Sequence, residues 1–164
     1  MTVLVAGVGN IFLRDDGFGV EVIKQLMAHP VPEGAKVVDF GIRGVHLAYE
    51  LMDGYDALVL VDAAPHGQVP GTVSLLEPNF ETLPESPASG GLLDAHGMEP
   101  TSVFSLLQSL GETPAKTLIV ACQPADTDDG IGLSDPVAAA VEPAVELIRT
   151  VLAEELGLQV AKEH

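Results

Sequence analysis

Three side chains of this 164-residue chain are of types that could do chemistry together: Asp16, Asp62 and His96. Asp16 closes the stretch Gly7-Val-Gly-Asn-Ile-Phe-Leu-Arg-Asp15-Asp16-Gly17, just as a helix is expected to begin. Asp62 ends the apolar run Ala57-Leu-Val-Leu-Val61, and His96 stands in Leu93-Asp-Ala-His96-Gly97. Each has an ordinary explanation. Acids in a first helical turn complement the macrodipole, a strand-end acid can brace a loop through backbone N–H groups, and a loop histidine can simply be solvated. Two adjacent acids at 15 and 16 repel each other, however. A carboxylate beside a buried strand is costly unless it is paired, hydrogen-bonded or metal-bound. Two carboxylates and an imidazole make an O/O/N set of charge about −2, suited to a divalent cation such as zinc, nickel or manganese rather than sulfur-seeking copper(I). Three protein ligands leave open positions, as in catalytic rather than structural sites.

Other chemistries fail on their spacing. Gly7-x-Gly9 has Phe12 where a dinucleotide turn needs its third glycine, and a bulky ring there blocks the helix–strand approach that glycine permits. Gly-x-x-x-x-Gly-Lys-Ser/Thr, His-Glu-x-x-His and Gly-x-Ser-x-Gly do not occur, so a phosphate-cradling loop, a zincin and a serine elbow are absent. The acidic turn Asp126-Thr-Asp-Asp-Gly130 places its glycine one position early for a calcium loop and has Val137 at the twelfth position, where glutamate belongs. It reads as a solvated turn. Cys122 ends an apolar strand and reads as core. His29 and His46 fall in expected helices, His66 in a turn, and His164 is the last residue.

The elements that must position the three groups alternate. Strands are expected at 3–8, 36–40, 57–61, 72–76 and 117–122, each an apolar and mostly β-branched run. Helices are expected at 17–29, with Val20, Ile23, Leu26 and Met27 as its buried stripe, and at 44–52. A third is expected at 100–111, and a last one from Ser134 or Asp135, as cap, to about 156, broken at Glu142-Pro143. The Pro-, Gly- and Ser-containing stretch 78–99 is longer than the roughly 12–15 residues usual for a structureless loop, and such loops are often functional. The alternation predicts one α/β domain over residues 1–164: a three-layer sandwich, its mostly parallel twisted sheet of about five strands covered by helices on both faces. Ligands bind such sheets outside the carboxyl ends of the strands, where Asp16 and Asp62 are expected. Seven basic against 24 acidic residues give a net charge of −17. That balance excludes a nucleic-acid or anionic-membrane partner, since both need a basic face. One cysteine allows no intramolecular disulfide, the first basic residue is Arg14, and no apolar run approaches a membrane span. A soluble cytoplasmic protein is expected.

With these residues in place, the chain resembles the [NiFe]-hydrogenase maturation endopeptidases. The likeness is carried by Val5-Ala-Gly-Val-Gly-Asn-Ile-Phe-Leu-Arg-Asp-Asp16, Asp39-Phe-Gly-Ile-Arg-Gly44, Leu58-Val-Leu-Val-Asp62-Ala63, Asp94-Ala-His96 and Ile131-Gly-Leu-Ser134, in that order. The resemblance implies an α/β sandwich with a metal-binding acid at Asp16, a second at Asp62 and a histidine ligand at His96. It implies a site that recognises nickel already loaded into the precursor of a hydrogenase large subunit, and hydrolysis of one peptide bond to remove that subunit's C-terminal extension. The nickel would come with the precursor, and no organic cofactor is expected. Asp39 is expected as a general base, with Gly41 and Arg43 beside the substrate. Two departures from the family pattern stand out. Asp39-Phe-Gly41-Ile replaces the common Asp-Gly-Gly-Thr, which brings Arg43 to the expected cleft, either against the substrate extension or paired with surface acids. Asp16 is one methylene shorter than the glutamate that the family also uses there, so Asp15 is an alternative ligand. A non-catalytic, metal-recognising assembly factor for the same precursor would use the same three ligands.

Overall fold

The computed structural model describes residues 2–42, 44–65, 67–77, 114 and 116–158. Five strands, β1 (Val3–Val8), β2 (Ala35–Gly41), β3 (Ala57–Ala63), β4 (Val73–Leu76) and β5 (Lys116–Cys122), make one sheet in the order β2-β1-β3-β5-β4. β2, β1, β3 and β5 run parallel, and β4 lies antiparallel on β5. The apolar runs of β1 and β3 are buried at every position, because both faces of the sheet are covered.

Alternation along the strands divides the core into two layers. Val3, Val5, Val59, Val61, Val120 and Cys122 pack on one face with Phe18, Val22, Ile23 and Leu26 of helix α1 (Phe18–Leu26), together with the C-terminal helices. Leu4, Ala6, Leu58, Leu60, Ile119 and Ala121 pack on the other with Leu47 and Leu51 of helix α2 (Gly44–Leu51). The α1 stripe differs from the sequence expectation. Phe18 and Val22 are buried, whereas Met27 is 60% exposed and Val20 is half-buried. The helix ends at Leu26, one residue before Met27, so Met27 turns away with the chain before Pro30.

The last helical region also breaks earlier than expected. Helix α3 (Asp135–Ala138) stops before Ala139, and α4 (Val141–Thr150) restarts with Pro143 in its first turn, continuing as a π turn over Val151–Glu155. Proline has no N–H to offer the carbonyl four residues back, Ala139, so the helix yields there rather than at 142–143. β3 runs two residues longer than expected, which takes Asp62 into the strand, one residue before its end. The expected helix at 100–111, His96, Arg43 and His66 lie outside the described residues. No helix among the described residues is long and apolar enough to cross a membrane.

Candidate functional site

β1 and β3 are neighbours, but the chain leaves β1 for β2 on one side and returns to β3 on the other. This reversal opens a crevice at the carboxyl edge, where open α/β sheets bind ligands. Asp62 stands there, opposite Ala121 of β5, and is fully buried. Alternation with Leu58 and Leu60 aims it at the α2 layer. Burial pushes its carboxyl well above the ordinary carboxylate range, and a hydrogen bond from the Ala63 N–H opposes this only in part.

Asp16 reaches the same edge on a 3₁₀ turn, Arg14–Gly17, that joins β1 to α1 and packs against β3. Two glycines set its position. Gly9 has φ +142°, and a Cβ there would sit 1.9 Å from the Asp16 carbonyl oxygen, so the turn can fold back onto the end of β1 only over a glycine. A Cβ on Gly19 would lie 2.4 Å from the carbonyl oxygens of both Val8 and Val61. The first turn of α1 therefore rests directly on the ends of β1 and β3. Asp16 itself is 1% exposed, and its Oδ2 accepts a 2.8 Å hydrogen bond from the Asn10 N–H.

Asp15, the alternative ligand, is engaged elsewhere. Its Oδ2 accepts from the N–H groups of Ala125 and Asp126 at 2.8 and 2.9 Å and from the Ser134 hydroxyl at 2.8 Å, and its Oδ1 accepts from the Ser134 N–H at 2.7 Å. Burial raises this carboxyl, but the bonds from Ser134, Asp126 and Ala125 outweigh it, so Asp15 is held below its ordinary range. It staples the loop after β5 to the turn that carries Asp16. Arg14 completes the staple: it adopts φ +49°, its N–H bonds the Gly130 carbonyl at 3.0 Å, and its Nε lies 3.6 Å from Asp126. The sequence predicts Ser134 or Asp135 as the cap of the last helical region. Ser134 does hold the cap position (φ −62°, ψ 159°), but its hydroxyl serves Asp15 instead. The repulsion of two adjacent acids weakens the macrodipole account of them, but nothing in the sequence points to these partners of Asp15.

Asp39 pairs in register with Gly7, on the face covered by α1 and opposite to that of Asp62. Its Oδ1 accepts from the Gly41 N–H at 2.8 Å, and the Gly41 carbonyl accepts from the Gly9 N–H at 2.9 Å. Gly41, at φ +56°, thus ties the ends of β2 and β1 together. Cys122 is buried among apolar side chains, and burial, with the Asp15 charge nearby, pushes its thiol up to about 12, far from a nucleophile's range. Among the described residues no three His, Cys, Asp or Glu side chains form a group able to hold a metal. Asp16 and Asp62 come to one edge, and the third expected ligand, His96, and the expected substrate contact, Arg43, are outside those residues.

Comparison with known proteins bears on this edge. The hydrogenase maturation protease family model matches residues 20–151. The hydrogenase 2 maturation protease of Escherichia coli is 34% identical over 160 residues, covering 94% of this chain and 92% of that protein. A hydrogenase expression/formation protein of Azotobacter chroococcum, HupM, is 31% identical over 98% of this chain and 76% of its own length. Among solved structures, the hydrogenase maturating endopeptidase HybD from E. coli superposes with a TM-score of 0.79 at 31% identity, over 97% of this chain and 96% of that one. The [NiFe] hydrogenase maturation protease HybD from Thermococcus kodakarensis gives 0.74 at 28% identity, over 92% and 99%.

Proposed function

Because this chain belongs to the hydrogenase maturation protease family, we propose that it is a nickel-dependent endopeptidase that removes the C-terminal extension of a [NiFe]-hydrogenase large-subunit precursor after nickel insertion. That the chain is a peptidase follows from the family, whose general role is C-terminal processing of the large subunit. The nickel dependence rests on one observation: two almost inaccessible carboxylates, Asp16 and Asp62, come from different elements to the carboxyl edge at the chain reversal between β1 and β3. Acids in such a place suit a cation.

In this reading Asp16, Asp62 and His96 hold a nickel ion that arrives as part of the substrate. Chain length permits the third ligand. From Glu77, just past β4, to His96 is 96 − 77 = 19 residues, a reach of roughly 60 Å when extended, against roughly 23 Å for a seven-residue strand. The bound ion supplies Lewis acidity toward the scissile carbonyl or an attacking water. Asn10 holds Asp16 in place through its N–H. Where nickel only anchors the precursor, a carboxylate such as Asp39 or Asp62 takes the proton from water. Asp39, whose Oδ1 accepts from the Gly41 N–H, is a candidate base, and Gly41 and Arg43 are the proposed substrate contacts. The partner is the precursor, met in the cytoplasm.

The test replaces His96 with Ala and follows conversion of nickel-loaded precursor to the shorter mature subunit by intact mass. Processing is expected to fall at least about 100-fold, the upper end of what loss of a ligand's outer-shell partner costs. Full activity would remove His96 from the site. Many precursors processed per molecule of wild type identify an enzyme, whereas a single stoichiometric conversion identifies an assembly factor.

A further inference from the structure

Arg14 and Gly17, which flank Asp15 and Asp16 in the 3₁₀ turn, also line a groove of about 540 Å³. Ile11, Val20, Ile131, Leu133 and Val141 supply its apolar lining. The size falls within the range of ligand sites, roughly 300–1,000 Å³. Ile131 is 74% exposed and Ile11 43%, and Phe12, 62% exposed, is linked to this rim by a 2.9 Å bond from the Gly130 N–H to its carbonyl. Singly exposed apolar side chains need no explanation, but a contiguous set around a concavity marks a binding surface.

The charges at this groove are balanced. Lys24 lies 3.7 Å from Glu21, and Arg14 lies 3.6 Å from Asp126. On a molecule of net charge −17, this is a neutral, apolar channel, so it selects an uncharged aliphatic or aromatic side chain. Because Arg14 and Gly17 of the groove flank Asp16 in one turn, a polypeptide bound at Asp16 has residues a few positions away, at about 3.3–3.6 Å each, within reach of the groove. We infer that this groove is a substrate subsite, which seats an apolar side chain of the precursor close to the cleaved bond. The inference rests on the proposed function for the identity of the polypeptide.

Ile131→Asp and Val20→Asp place a charge in the groove, and Ile131→Leu retains its character. Met27→Asp, at the far end of α1 and 60% exposed, is the control. Kinetics use nickel-loaded precursor and the full chain, with thermal unfolding to confirm that each variant folds. The two groove variants are expected to raise KM about tenfold or more with kcat nearly unchanged, while Ile131→Leu and Met27→Asp behave as wild type. An unchanged KM in both groove variants overturns the subsite. Direct binding of fluorescently labelled precursor separates this inference from the one it rests on. If wild type binds the precursor without cutting it and Ile131→Asp weakens that binding, the endopeptidase reading fails and the groove stands. If Ile131→Asp leaves precursor binding intact but abolishes self-association of wild type seen by light scattering, the groove belongs to a second copy and the inference falls.

Discussion

Asp15 and Asp16 are the same residue in successive positions, and the structure gives them opposite work. Four donors saturate Asp15 and hold its carboxyl below the ordinary range, whereas Asp16, buried on the turn that packs against β3, accepts from the Asn10 N–H. Asp62 shows the other extreme, burial pushing its carboxyl up. Two causes separate Asp15 from Asp62: the donors aimed at the Asp15 oxygens lower its carboxyl, and the deeper burial of Asp62 raises its own. Asp15→Ala leaves the N–H groups of Ala125, Asp126 and Ser134 without their acceptor. It is expected to lower stability by about 3 kcal/mol or more, read from the urea midpoint, and to reduce processing because the turn under Asp16 loses its anchor.

At the scale of elements, glycine contact sets the geometry. Gly19→Ala would drive a methyl into the carbonyls of Val8 and Val61 and lift α1 from β1 and β3. A loss of about 2–4 kcal/mol is expected, with a larger loss of processing than the loss of folded protein explains. This is measured by comparing specific activity at temperatures where the variant is fully folded. A polar contact holds the other layer: Glu50 of α2 accepts from Tyr55 and from Lys36 of β2, the latter at 3.0 Å. Its carboxyl is lowered from 4.5, first by the Tyr55 bond and then by Lys36, so that contribution exists above the unfolded value and is lost as pH falls through the folded one. The Tyr55 hydroxyl is raised from 10.0 by burial and by Glu50, so its contribution is present below 10.0 and lost as pH rises through the folded value. Tyr55→Phe is therefore expected to cost about 1 kcal/mol at neutral pH, with the difference from wild type shrinking as pH falls below 4.5 and through the folded Glu50 value. Urea titrations across that range check it.

The whole molecule carries −17, and its field acts at longer range than any contact. Basic segments of the precursor should be drawn toward it, and salt should weaken the attraction as the Debye length shortens from about 10 Å at 0.1 M to about 3 Å at 1 M. Association rates measured by stopped flow are expected to fall several-fold over that span. Dissociation, governed by the apolar groove and the carboxylate edge, should change far less. A salt-independent association rate would remove the charge from recognition.

Much of this was legible without coordinates. The buried strands announced themselves as apolar β-branched runs, and their alternation with helices dictated a mostly parallel covered sheet, because a strand buried on both faces has few other places to go. The types of Asp16, Asp62 and His96, and their places after expected elements, came from the chain alone. Strand order did not, nor did the antiparallel turn of β4, for neighbours in a sheet are chosen by packing between distant segments. The division of labour between Asp15 and Asp16 was equally hidden, since the donors to Asp15 lie 110 to 119 positions along the chain. Val20 and Val22 illustrate the remaining limit: periodicity alone left the orientation of α1 uncertain by a step, and only the contact of Gly19 with the strand carbonyls settled which side of the helix meets the sheet.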